Sequence, residues 1–147
     1  MIDQDNIHKN ISEYFKIIQD VIKRMGQNSF LIKAWCITIF AGIFSFTYSF
    51  INIIIVGVIL FIIIIFWVLD SYYLYLETLF RDYYNKKVEE YNDDEKREHL
   101  KLFKIDLKAI KKQENNFIEY IFSISEILFY VPLLSINIVL IIILILI

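Results

Sequence analysis

Asp70, Glu77 and Arg81 stand in FWVLDSYYLYLETLFRDYYN (residues 66–85), where an uncharged run becomes charged and tyrosine-rich with no Gly or Pro between. Carboxylates and a guanidinium at this spacing could serve acid–base chemistry, or they could hold helices together. With Trp67, Tyr73 and Tyr84 they fall on one broad helical face by i, i+3 and i+4 steps. Glu77 precedes Arg81 by four residues, the better order for a helical ion pair. Asp70 lies nearest the apolar run. At a water boundary it needs only solvent; drawn inward, it needs a partner such as Lys33 or a tyrosine hydroxyl.

Acid–base catalysis also requires a pocket that dries and tunes its carboxyls, and no soluble domain is evident to form one. Gly-rich phosphate loops, GxSxG, HExxH and CxxC are absent from the sequence. Cys36 is the single cysteine, and His8 and His99 lie far apart without metal-ligand spacing. The expectation is a non-enzymatic protein without cofactor or metal. In it Trp67, Asp70, Tyr73, Glu77, Arg81 and Tyr84 clamp helices together.

The elements that position these residues follow from hydropathy. Of the 147 residues 58% are hydrophobic, well above the roughly 45–50% of soluble domains. With three Gly and one Pro, long helices are expected. No charge occurs between Lys33 and Asp70. As one helix that run would be about 54 Å long, against about 30 Å of hydrocarbon. A tight hairpin fits better, with spans at 33–49 and 52–69 and the turn in TYSFIN (47–52). A third apolar block, 127–147, carries no charge after Glu126 and suffices for one more span. Pro132 near its start costs little if the helix begins nearby and kinks it if the helix begins at Phe117.

The fold class is therefore an all-α integral membrane protein of four parts. These are a cytoplasmic amphipathic helix (1–32), a transmembrane hairpin (33–69), a cytoplasmic helical hairpin (70–126) and a C-terminal transmembrane helix (127–147). Residues 1–33 lack the pattern of a cleavable signal. Ile7, Ile11, Phe15, Ile18, Ile22 and Met25 make an apolar stripe on a first helix expected to end near Gly26 and QNS. From Lys96 to Leu128, apolar residues at steps of three and four suggest a helix-packing seam, with Asn92 or Asp93 as a preceding cap. Beside that seam run Lys101, Lys104, Lys108, Lys111 and Lys112, suited to anionic lipid, to a protein partner or to plain solvation. Nucleic acid is not an expected partner, because aromatic interleaving and a recognition fold are missing.

Two further stripes bear on assembly. Ala34, Thr38, Ala41, Gly42, Ser45 and Ser49 form a small-residue seam, which lets membrane helices approach within the hairpin or between copies. Glu119, Ser123, Glu126, Tyr130 and Asn137 fall near one face of the last segment. That face either packs or, in an oligomer, lines an aqueous path.

The phrase FWVLDSYYLYLETLFRDYYNKKV (66–88), through Trp67, Asp70, Tyr72, Tyr73, Glu77, Phe80, Arg81 and Tyr84, resembles the juxtamembrane segment of small bacterial antiviral-defence membrane proteins of the SLATT-like two-span kind. The resemblance covers residues 33–90; the third span departs from a plain two-span pattern. It implies a homo-oligomer in the bacterial inner membrane that compromises the bilayer when a partner encoded with it senses infection. The alternatives from the sequence are a structural or accessory subunit anchoring a larger complex, and a holin-like lysis protein. Lys16, Lys23, Arg24 and Lys33 before the first span, and Arg81, Lys86 and Lys87 after the second, place the N-terminus and both polar regions in the cytoplasm. Trp35 and Trp67 fall at the expected inner interface. A reporter fused after Ile147 should accordingly read on the far side of the membrane, and a cytoplasmic signal would remove the third span.

Overall fold

Ile- and Phe-rich sequence with so few breakers folds as long helices. The computed structural model describes residues 4–93 and 116–146, and the regular structure among them is entirely helical. Helix α1 (Gln4–Thr47) leads through a 3-10 turn (Tyr48–Phe50) into α2 (Ile53–Asn92); α3 (Phe117–Ile121) and α4 (Ile124–Leu146) follow. Helices α1, α2 and α4 are long and apolar enough to cross a membrane. At 44 and 40 residues, α1 and α2 are each about twice as long as a hydrocarbon core is thick.

The turn falls where Thr47, Ser49 and Asn52 cluster. The Asn52 side chain caps α2: its Oδ1 accepts from the backbone N–H of Ile54 at 3.0 Å and of Ile55 at 3.1 Å. Those donors have no partner inside the helix. Hydroxyls in the apolar stretches bond back onto their own helices. Thr38 donates to the Ala34 carbonyl, Thr47 to Ile43, Ser71 to Trp67 and Ser135 to Val131. No hydroxyl of this set needs water.

Three expectations are corrected. Helix α1 does not end near Gly26; it continues through Gln27, Asn28 and Ser29 to Thr47. One glycine costs a helix only about 1 kcal/mol relative to Ala, and here it leaves room for a neighbour. A Cβ on Gly26 would stand 3.2 Å from Glu77 Oε2. The helical seam expected to continue to Leu128, interrupted only by Glu114, breaks also at Phe122 and Ser123, between α3 and α4. Beyond the break, Ile124 and Leu128 are exposed. The last helix begins at Ile124 rather than Ile127, with Pro132 inside it, where the ring cannot donate to the Leu128 carbonyl. The earlier part of the seam and Lys101, Lys104, Lys108, Lys111 and Lys112 lie outside the described residues.

Contacts divide the described residues into two units, each drawn from segments far apart in sequence. One comprises the described parts of Met1–Gly26 and Tyr75–Asn115, the other those of Gln27–Leu74 and Asn116–Ile147. In the first, Ile11, Tyr14 and Ile18 are buried, as are Tyr75, Leu79 and Tyr83. The Tyr14 and Tyr83 hydroxyls share a hydrogen bond of 2.6 Å, and Gln19 Nε2 donates to Tyr84 OH at 2.9 Å. Burial, then the bond to Tyr83, pushes the Tyr14 phenol above its ordinary range, so it stays protonated. The core of the second unit is Cys36, Ile59, Ile63 and Tyr130, with Phe40, Ile43, Phe66 and Trp67 packed against it.

Asn52→Ala should cost about 1 kcal/mol, within a range of about 0.5–2, because it removes the cap of α2. Thermal unfolding of the full chain in nanodiscs reads this directly, and Asn52→Asp or Asn52→Ser should retain most of the lost stability.

Candidate functional site

The second unit buries charge. Asp70 and Glu126 are both fully shielded from solvent, and both are partners of Lys33, whose side chain is 18% exposed. Lys33 comes from α1, Asp70 from α2 and Glu126 from the first turn of α4, so one ammonium joins the long helices. Its Nζ donates to Asp70 Oδ2, to Glu126 Oε1 at 2.8 Å and to Ser29 Oγ at 3.3 Å. These are the three donors an ammonium has. The Phe129 ring lies 5.8 Å from the same nitrogen, within cation–π range.

Asp70 is the better satisfied carboxyl. Ser29 Oγ donates to its Oδ1 at 2.5 Å, while Lys33 and, at 3.1 Å, Tyr130 OH donate to Oδ2. Glu126 has Lys33 on Oε1 and no hydrogen-bond partner on Oε2. Next to the cluster, Tyr130 stacks on Trp67 with ring centroids 5.8 Å apart. The Trp67 indole donates at 3.0 Å to the Ile121 carbonyl, one of the acceptors left open where α3 ends. Paired charges in a low-dielectric interior give directional cohesion, but at a desolvation cost that their attraction only partly offsets.

The residues singled out in the sequence separate into distinct settings. Asp70, Trp67, Glu126 and Tyr130 come together around Lys33. Glu77 and Arg81 instead form a local pair in the first unit, Nε and Nη2 both donating to Oε1 at 3.0 and 2.7 Å. Tyr84 lies edge-on to Phe15 with centroids 5.5 Å apart. Tyr73 is half-buried beside Tyr72 and takes no part in the charge cluster. Trp35 is exposed, so only Trp67 of the tryptophan pair is tied into a polar contact.

Of the polar stripe, Glu119 is exposed while Glu126, Tyr130 and Asn137 are buried in their own unit, and neither amide atom of Asn137 has a partner. In the small-residue seam, Ala34, Thr38, Ala41, Ser45 and Ser49 are exposed and Gly42 is half-buried. Within this unit the seam is not the inward face: α1 turns Ile32, Cys36, Phe40 and Ile43 inward. Ser29 escaped the sequence reading, as did the link from Lys33 to Glu126. The available signal was that Lys33, Asp70 and Glu126 are the last charges at the edges of the uncharged runs. Among the described residues no group of His, Cys, Asp and Glu could hold a metal ion.

Lys33→Met should destabilise the second unit by about 3–5 kcal/mol, since it strands two buried carboxyls. Adding Asp70→Asn to that variant should restore part of the loss in thermal unfolding, the non-additivity of residues in contact. No protein-family model, curated protein or solved structure matches the chain.

Proposed function

We propose that the chain is a multi-pass protein of the bacterial inner membrane, N-terminus in the cytoplasm, that acts as an oligomeric membrane effector. The observation that carries the membrane reading is the inverted distribution of polarity in the second unit. Phe30, Trp35, Phe46, Ile54, Phe61, Ile145 and Leu146 are exposed, while Asp70, Ser71, Glu126 and Asn137 are buried. In water such an apolar exterior would drive association or precipitation. In lipid it is the surface required, and buried polar side chains facing other helices are the arrangement expected.

Self-association is supported by the small-residue seam. It faces away from its own unit, where it lets a helix of a second copy come close. The role in antiviral defence, with a partner that senses infection, rests on the resemblance of residues 66–88 to SLATT-like effectors. Glu126, Tyr130 and Asn137 face their own bundle, so the form this reading takes is disruption of the bilayer by assembled helices rather than a water-filled path lined by that stripe.

Induced in cells under a triggering condition, the protein should collapse the membrane potential, and unchanged potential in all such conditions would refute the effector role. In nanodiscs it should run as a homo-oligomer. Gly42→Leu with Ser45→Leu should shift it toward monomer without loss of helical circular dichroism. A monomer that instead captures one membrane protein stoichiometrically would establish an accessory subunit.

A further inference from the structure

The charge cluster does not balance. Lys33 supplies one positive charge; Asp70 and Glu126 would supply two negative ones if both were ionised. Among the described residues, the ionisable groups that interact with Glu126 are Lys33 from α1, Asp70 from α2 and Tyr130 from α4. None adds a second cation, and an uncompensated ion in an interior of this kind is costly. Either a small cation enters or one carboxyl keeps its proton. A metal cation needs several oxygen ligands at once. Here Asp70 Oδ1 is taken by Ser29, Asp70 Oδ2 by Lys33 and Tyr130, and Glu126 Oε1 by Lys33. Glu126 Oε2, buried and without a partner, is the uncommitted carboxyl oxygen.

We infer that the cluster of Lys33, Asp70 and Glu126 is a binding site for one exchangeable proton, carried on Glu126. Asp70 already accepts from three donors spread over both of its oxygens, which leaves it no room for a hydrogen of its own. Glu126 receives a single donor, and its free oxygen accommodates a hydrogen without displacing any bond. The loaded site is neutral as a whole: ammonium, carboxylate and carboxylic acid. Release of the proton leaves one net negative charge among α1, α2 and α4, in the place where they are tied together.

Above the ordinary glutamate range an unfolded chain ionises Glu126 while the folded chain still holds the proton, so the folded state binds more protons. Stability therefore falls as pH rises, by up to about tenfold in the folded-to-unfolded ratio per pH unit for a single proton, until the site itself deprotonates. The inference draws on the apolar setting of the second unit and is independent of the effector role.

The test is infrared spectroscopy of the full chain in lipid nanodiscs at neutral pH. A protonated-carboxyl stretch should be present, should shift in heavy water, and should move to lower frequency when glutamate alone is carbon-13 labelled. Glu126→Gln should abolish it, and Glu119→Gln should leave it intact. Glu126→Gln should also flatten the fall of melting temperature with pH while the helical signal persists. No such band in the unsubstituted protein would overturn the inference, whatever the fate of the variants. So would a band that responds to labelled aspartate instead, or melting that depends on sodium or potassium at fixed pH. Whether the membrane potential collapses in cells is a separate readout, so failure here and failure of the effector role are distinguishable.

Discussion

The Lys33 ammonium is the constraint on which the second unit depends. Its three donors reach Asp70, Glu126 and Ser29, and it thereby fixes the rotation of each long helix about its own axis. In an environment where apolar side chains meet apolar surroundings on every side, packing alone discriminates poorly between helix faces. A shared ammonium discriminates strongly, because turning Asp70 or Glu126 outward would strip it of a partner. The apolar core of Cys36, Ile59, Ile63 and Tyr130 then packs in the register the charges impose. Here buried charge acts as a source of specificity, whatever it adds to net stability.

The first unit uses a different economy. Its helix faces meet through phenols: Tyr14 to Tyr83, Gln19 to Tyr84, Phe15 against Tyr84 and Tyr91. Aromatic rings with polar tips suit a boundary where one side of a residue is dry and the other wet. The tyrosine-rich sequence after Asp70 is thus a packing surface. Glu77 and Arg81 sit at its partly exposed margin, where an ion pair is worth about 0–1 kcal/mol.

Much of this architecture was legible because hydropathy and breakers are local signals. The uncharged run is too long for a single span, and the Thr47, Ser49 and Asn52 cluster marks the turn. Asp70 drawn inward calls for Lys33 or a tyrosine, and the structure supplies both, the tyrosine being Tyr130. What escaped is tertiary. Nothing near Gly26 announces that α1 continues, because a lone glycine is a weak breaker and its value is the space it leaves for Glu77. Glu126 reads locally as a residue on a polar stripe. Its meeting with Lys33 depends on the hairpin returning Asp70 to the level of Lys33 and on α4 starting at that same end. The outward direction of the small-residue seam depends on which face the charges select, and spacing cannot supply that.

The distribution of polar groups along α4 has a mechanical consequence. Glu126 and Tyr130, in its first two turns, are held by Lys33, Asp70 and the Phe66 carbonyl. Beyond Asn137, itself without a partner, the helix continues to Leu146 on Ile, Leu and Val alone. Such side chains can slip past one another with little penalty. The helix is a mast stepped at one end. In a bilayer, its inclination is left to the thickness of the lipid around the stretch beyond Asn137 rather than to any matching side chain.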